Sequence, residues 1–153
     1  MITLKVGDKA PFFSAPIETG KIVNLDEFKG KKLVLFFYPK DNTPGCTAEA
    51  CSLKESYSEL KMKGFELLGI SADDEKSHQK FIDKFNLPYS LIADTSLKML
   101  NDYGVWGPKK FMGKEYDGIH RTTFVVDENG LIERIFEKVV TSDHAAQIMD
   151  SYN

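Results

Sequence analysis

The chain has 153 residues, of which 42% are hydrophobic, 12% aromatic and 28% charged. That profile fits one globular domain able to bury about 68–70% of its unfolded surface, and it excludes a disordered tail, a collagen-like fibre and a coiled coil. Twenty Lys and Arg against 23 Asp and Glu leave a net charge of −3, without the basic excess of a nucleic-acid binder. No apolar run reaches the roughly 20 residues of a membrane span, and Met1 to Pro11 lacks the apolar stretch of a secretory signal. The expectation is a single cytoplasmic domain over residues 1–153.

In chain order, Phe12 to Ala15 and Ile22 to Leu25 flank Glu18-Thr19-Gly20-Lys21 and predict an N-terminal hairpin. Leu33 to Tyr38 is a continuous apolar run, as in a strand buried on both faces. A helical pattern follows from about Thr43 to Met62, with Leu53, Tyr57 and Leu60 on one stripe. Thr43 suits its N-cap, Pro44 its first position and Gly64 its stop. Phe65 to Ser71 reads as a second strand. A helix with His78, Phe81, Ile82 and Phe85 on one face comes next, then a weak strand, Tyr89 to Ala93, and a short helix, Ser96 to Tyr103. Val105 to Tyr116 reads as an irregular hairpin, with Lys109-Lys110 in a solvated turn. Thr122 to Val126 and Leu131 to Phe136 form a hairpin about Asp127-Glu128-Asn129-Gly130. A last helix puts Ala145, Ile148, Met149 and Tyr152 on one face. Strand–helix alternation followed by a hairpin gives an α/β fold: a mixed central sheet flanked by helices, compatible with the thioredoxin-like class.

The two cysteines, Cys46 and Cys51, are too few for a structural framework in a reducing compartment. Cys46 falls in the first turn of the long helix, where free N–H groups and the helix dipole favour an anion and so a reactive thiolate. Five residues on an ideal helix separate the two Cα atoms by roughly 8.7 Å, beyond the about 7 Å that a disulfide tolerates. Bonding would require the first turns to unwind, which makes the pair a candidate switch. Two thiols of which one or both are simply buried is the other reading.

The segment Tyr38-Pro39-Lys40-Asp41-Asn42-Thr43-Pro44-Gly45-Cys46-Thr47-Ala48-Glu49-Ala50-Cys51 resembles the active-site signature of the peroxiredoxins. The second cysteine five residues on resembles the peroxiredoxin Q, or bacterioferritin comigratory protein, subfamily. The likeness extends to Val6-Gly7-Asp8-Lys9-Ala10-Pro11-Phe12 and to Arg121-Thr122-Thr123-Phe124-Val125-Val126-Asp127. It implies reduction of hydrogen peroxide and organic hydroperoxides, with Cys46 as the peroxidatic cysteine oxidised to a sulfenic acid. Arg121 would supply a permanent positive charge. Thr43 and the N–H groups of Gly45 and Cys46 would orient the peroxide. Pro39 would shield the sulfur, and Glu49 would orient Arg121. The resemblance assigns Cys51 as resolving cysteine, forming an intramolecular Cys46–Cys51 disulfide reset by thioredoxin, or sometimes glutaredoxin. It implies no flavin, haem or metal cofactor, and a monomer or weak dimer.

The other candidates read as bland. His78 reads as a packing residue, His120 points away from Arg121, and His144 fits the surface near the last helix. Trp106 and Phe111 fit core packing or an apolar rim to the site. A soft-metal module built on the cysteines and one histidine competes, but a nearby guanidinium would repel a cation. A general disulfide oxidoreductase would need the Cys-x-x-Cys motif that is absent.

Overall fold

The structure is a computed structural model that describes residues 2–152. The expected N-terminal hairpin is present as two short strands, Ser14–Pro16 (β1) and Ile22–Asn24 (β2). Lys32–Phe37 (β3), Phe65–Ser71 (β4) and Ser90–Ala93 (β5) follow, joined by Pro44–Glu55 (α1), Tyr57–Met62 (α2) and Glu75–Phe85 (α3). Then come Lys98–Asp102 (α4), Trp106–Phe111 (β6), Lys114–Ile119 (β7), Thr122–Val126 (β8), Ile132–Phe136 (β9) and His144–Asp150 (α5).

The central sheet runs β5-β4-β3-β8-β9. Its first three strands are parallel, and β8 and β9 add antiparallel. This is the mixed sheet expected from helical crossovers followed by a hairpin. Strand β3 lies at its centre and alternates between two cores. Leu33, Leu35 and Phe37 pack with β1, β2 and α4, whereas Val34, Phe36 and, just past the strand, Tyr38 pack with α1, α3 and α5. Each fully buried Leu or Phe contributes about 1.5–3 kcal/mol, so this strand fixes the body of the protein. Gly69 on β4 permits the close fit, since a Cβ there would lie 2.6 Å from Leu91 and 2.7 Å from Phe36.

Four expectations need correction. The helix expected from Thr43 to Met62 is two helices, because the chain leaves helical geometry at Ser56 (φ −106°, ψ 14°), whose N–H turns to the Lys54 carbonyl. Serine is prone to such local competition with the helix ladder. The hairpin after Val105 is regular and runs to Ile119, with Met112 and Gly113 both at positive φ in its two-residue turn. That is the backbone that matches strand twist. Lys109 and Lys110 therefore lie in β6, and Phe111 at the turn is 65% exposed, while Trp106 packs against the core. Tyr152 lies past the end of α5, its ring stacked 4.3 Å from the Arg134 guanidinium. No helix among the described residues is long and apolar enough to cross a membrane.

Candidate active site

The register of the sheet explains how residues 75 positions apart meet. Thr122 pairs with Phe37 at the end of β3. Arg121 is thereby set at the sheet edge from which the loop 38–43 leads into α1. This is the carboxyl end of the parallel strands, where open α/β sheets place their sites. Arg121 directs Nη2 to the Cys46 Sγ at 3.4 Å and Nη1 to the Glu49 Oε1 at 2.6 Å. Glu49 follows Cys46 by three residues, so both face the same way on α1. The helix buries Cys46, Glu49, Ala50 and Leu53, a one-sided stripe with a thiol and a carboxylate where apolar residues would ordinarily stand.

Gly45 makes the arginine contact possible. A Cβ built on it would lie 3.1 Å from Arg121 Nη2, too tight unless the guanidinium moves. Thr43 occupies the N-cap position, but its hydroxyl makes no cap bond; it donates to the Lys40 carbonyl at 2.8 Å. The first-turn N–H groups of Gly45 and Cys46 are thus not consumed by the cap, and they stay available to an oxygen at the helix mouth. Pro39 is half-buried just past β3. Cys51 is half-buried on the same unbroken α1, and both thiols are free.

The electrostatics follow from burial. Glu49 is fully enclosed, and this desolvation pushes its carboxyl up to about 7 against the pull of Arg121. Burial opposes the Arg121 charge as well, yet the Glu49 and Cys46 charges raise its affinity for its proton. Lys109 reaches the same neighbourhood. Its Nζ donates to the Ile119 carbonyl at 2.8 Å, and burial followed by the Arg121 charge lowers its pKa. A groove of about 310 Å³ runs past Arg121, lined by Ile2, Lys109, His120, Thr122 and Glu137. His120 precedes β8 and places Nε2 at 2.9 Å from the Pro108 carbonyl.

Two histidines differ from expectation. His144 is no surface residue. It is completely buried, with Nε2 at 2.8 Å from Thr123 Oγ1 and 3.6 Å from Glu49 Oε2. Burial holds its pKa down at about 4. A histidine beside Ala145 at the start of a helix carried no signal of this, because the partners come from α1 and β8. His78 is buried as expected of a packing residue, but its contacts are polar: Nδ1 lies 2.7 Å from Asp41 Oδ2 and Nε2 lies 2.9 Å from the Ile92 carbonyl. Asp41, Asp73 and His78 bring their donor atoms within 4.8 Å of one another, the one such group among the described residues. Tyr38, Ser71 and Ser77 hydroxyls already fill the two carboxylates, so the cluster serves the loop as a hydrogen-bond network.

Residues 6–135 match the AhpC/TSA family. Peroxiredoxin Bcp of Escherichia coli is 46% identical over 144 residues, which span 94% of this chain and 92% of that protein. Among solved structures, Xanthomonas campestris peroxiredoxin Q superposes with a TM-score of 0.88 at 30% identity, covering 98% of this chain and 95% of the other. A structure of the Xanthomonas campestris bacterioferritin comigratory protein gives 0.90 at 28% identity, with 99% and 97% covered. The fold is thus the thioredoxin-like one of these enzymes, and the chain belongs to the AhpC/TSA family as a peroxiredoxin of the bacterioferritin comigratory protein type.

Proposed function

We propose that the enzyme reduces hydrogen peroxide and organic hydroperoxides at Cys46. The observation that carries this reading is the Arg121 guanidinium set 3.4 Å from the Cys46 sulfur at a helix mouth with uncapped N–H groups. The Xanthomonas relative, whose structure is described in terms of alkyl peroxide reduction and a trapped intermediate, supports organic hydroperoxides as the substrate class.

The Cys46 thiolate attacks the terminal peroxide oxygen. A sulfur–oxygen bond forms and the oxygen–oxygen bond breaks, so sulfur is oxidised to a sulfenic acid while the peroxide is reduced. The departing alkoxide or hydroxide takes a proton from solvent and leaves as alcohol or water. Negative charge moves from sulfur to that oxygen, and groups fixed in advance stabilise it best. Arg121 and the Gly45 and Cys46 N–H groups fill that role, while the Thr43 hydroxyl, whose hydrogen goes to the Lys40 carbonyl, orients the peroxide by accepting from its O–H. Glu49 holds the guanidinium in register, and Pro39 walls off water.

Cys51 is the resolving residue. Once the first turns of α1 unwind, its thiolate attacks the sulfenic sulfur, a disulfide forms, and hydroxide departs as water. A dithiol protein of the thioredoxin or glutaredoxin type returns both thiols. The chain works as one domain over residues 1–153, as a monomer or weak dimer in the cytoplasm, without a cofactor.

The test is a peroxidase assay coupled to thioredoxin, with hydrogen peroxide and an organic hydroperoxide side by side. Cys46→Ser is expected to abolish turnover. Cys51→Ser is expected to allow one oxidation of Cys46 and no cycling on thioredoxin. Turnover retained by Cys46→Ser rejects the reading, and undiminished cycling by Cys51→Ser rejects Cys51 as the resolving thiol.

A further inference from the structure

Lys109 is a half-buried cation with no carboxylate partner among the described residues. Its Nζ donates one hydrogen bond, to the Ile119 carbonyl at 2.8 Å, and an ammonium carries two more N–H groups. The charges that act on it are those of Arg121 and Cys46. Burying an ammonium beside a guanidinium is unfavourable unless an anion joins them. The Cys46 thiolate is one such anion, but Arg121 Nη2 already holds it at 3.4 Å, and Glu49 takes Nη1.

The β6–β7 hairpin holds the amine in place. Lys109 pairs with Tyr116 across the two strands, and its stem crosses Gly118. A Cβ on Gly118 would lie 3.1 Å from Lys109 Cδ and 3.2 Å from the Tyr116 ring. Glycine at this position therefore leaves the slot in which the stem lies. Lys110, the next residue of β6, is exposed and belongs to the opposite face of the hairpin.

The groove of about 310 Å³ passes both cations. Arg121 and Lys109 line it together with Ile2, His120 and Thr122, and the exposed Glu137 is its one acid. The His120 ring is tied to the Pro108 carbonyl at 2.9 Å and so forms a fixed wall. Solvent screens the charge of Glu137 more than that of the half-buried Lys109. Cys46 is 2% exposed, so a hydroperoxide must reach it oxygen first, with its organic group trailing outward.

We propose that Lys109 is a specificity-determining residue, which selects organic hydroperoxides that carry a carboxylate within short reach of the peroxide group. The proposal rests on the peroxidase reading given above and names a substrate class within it. The peroxide oxygens stay with Cys46, Arg121 and the helix mouth. The organic group passes Arg121 and lies in the groove against Ile2. Its carboxylate accepts from the two remaining N–H groups of Lys109, in charge-assisted bonds about twice as strong as neutral ones. The amine is already partly desolvated and fixed in the free protein, so binding does not bear the cost of ordering it.

The test compares hydroperoxides of one shape: cumene hydroperoxide and its meta- and para-carboxylates. The readout is the second-order rate constant for oxidation of Cys46 in a single turnover. The ratio of a carboxylate's rate to that of the uncharged compound removes any effect of Lys109 on the ionisation of Cys46, which all three substrates share. In the wild type the better carboxylate is expected to react about tenfold faster, the scale of one hydrogen bond to a charged group. Lys109→Gln is expected to bring the ratio to about one or below. Lys110→Gln removes a neighbouring charge from the other face and is expected to keep the wild-type ratio.

A wild-type ratio at or below one for both carboxylates overturns the proposal. So does a preference that Lys109→Gln retains, or one that Lys110→Gln loses to the same extent. Each of these outcomes leaves the peroxidase reading standing, because uncharged cumene hydroperoxide still oxidises Cys46. Failure of every hydroperoxide to oxidise Cys46 in the wild type would instead remove that reading, and the proposal with it.

Discussion

Asp41 and His78 form a buried ion pair that fastens the active-site loop to the middle of α3. His78 Nε2 faces the Ile92 carbonyl at 2.9 Å and must carry a hydrogen, and Nδ1 faces Asp41 Oδ2 at 2.7 Å. Both nitrogens therefore donate, and the ring is an imidazolium. Burial opposes that charge, but the bond and charge of Asp41 prevail and raise the pKa of His78 above 6.5. A group whose pKa is raised on folding stabilises fully below its unfolded value of about 6.5, and loses that contribution as pH rises through the folded value.

Asp41→Asn is therefore expected to cost about 3–5 kcal/mol at about pH 6, as breaking a buried pair does. As pH rises above about 6.5 and through the raised folded value of His78, the gap to the wild type is expected to narrow. Urea unfolding of both proteins across this range measures it. A gap that stays constant with pH would mean that His78 is neutral in the folded protein.

Gly45 separates activity from stability. A Cβ at this position would press on Arg121 Nη2 from 3.1 Å, while alanine suits a helix better than glycine by up to about 1 kcal/mol. Gly45→Ala is expected to leave the thermal midpoint unchanged or raised. The rate of peroxide attack is expected to fall by up to about a hundredfold, the penalty of displacing a positioning group by about 1 Å. Single-turnover oxidation of Cys46 beside a melting curve tests both halves. An unaltered oxidation rate would show that the guanidinium can yield without leaving the sulfur.

The turn of the β6–β7 hairpin offers a stabilising change away from the site. Met112 is exposed and held at φ 51°, followed by Gly113 at φ 80°. This backbone favours Asn-Gly, and methionine adopts it at a cost. Met112→Asn is expected to add about 0.5–1 kcal/mol with peroxidase activity intact. A loss of stability in urea unfolding would show that the exposed Met112 side chain makes compensating contacts.

How much of this was legible in the residues depends on how local the signal is. The apolar run of β4 gave its bounds at Phe65 and Ser71, and the Asp127–Gly130 turn gave the β8–β9 hairpin, because periodicity and turn chemistry act over a few neighbours. The break at Ser56 was invisible, since one serine in a helical pattern does not announce that the chain will bend there. The roles of Cys46, Thr43 and Arg121 came from the resemblance, and only the β3–β8 register explains physically how Arg121 arrives beside the sulfur. The polar burial of His144 and the half-buried amine of Lys109 depend on partners from other elements. An isolated histidine or a Lys-Lys pair encodes neither.

The hydroxyl of Tyr89 donates to the Ala50 carbonyl at 2.6 Å, one residue before Cys51 and inside the stretch of α1 that must come apart before the two sulfurs can meet. Its ring packs edge-on against Phe36 at 5.6 Å, so Tyr89→Phe removes the bond and keeps the packing. Losing a buried hydrogen bond costs the folded helix about 1 kcal/mol, a factor of roughly five in an opening equilibrium. The variant is expected to form the Cys46–Cys51 disulfide about fivefold faster after one equivalent of peroxide, and to lose less Cys46 to overoxidation under excess peroxide. Rapid alkylation and intact-mass measurement over time follow both products. Equal disulfide rates in variant and wild type would place the unwinding wholly ahead of residue 50, with the turn that carries Cys51 left intact.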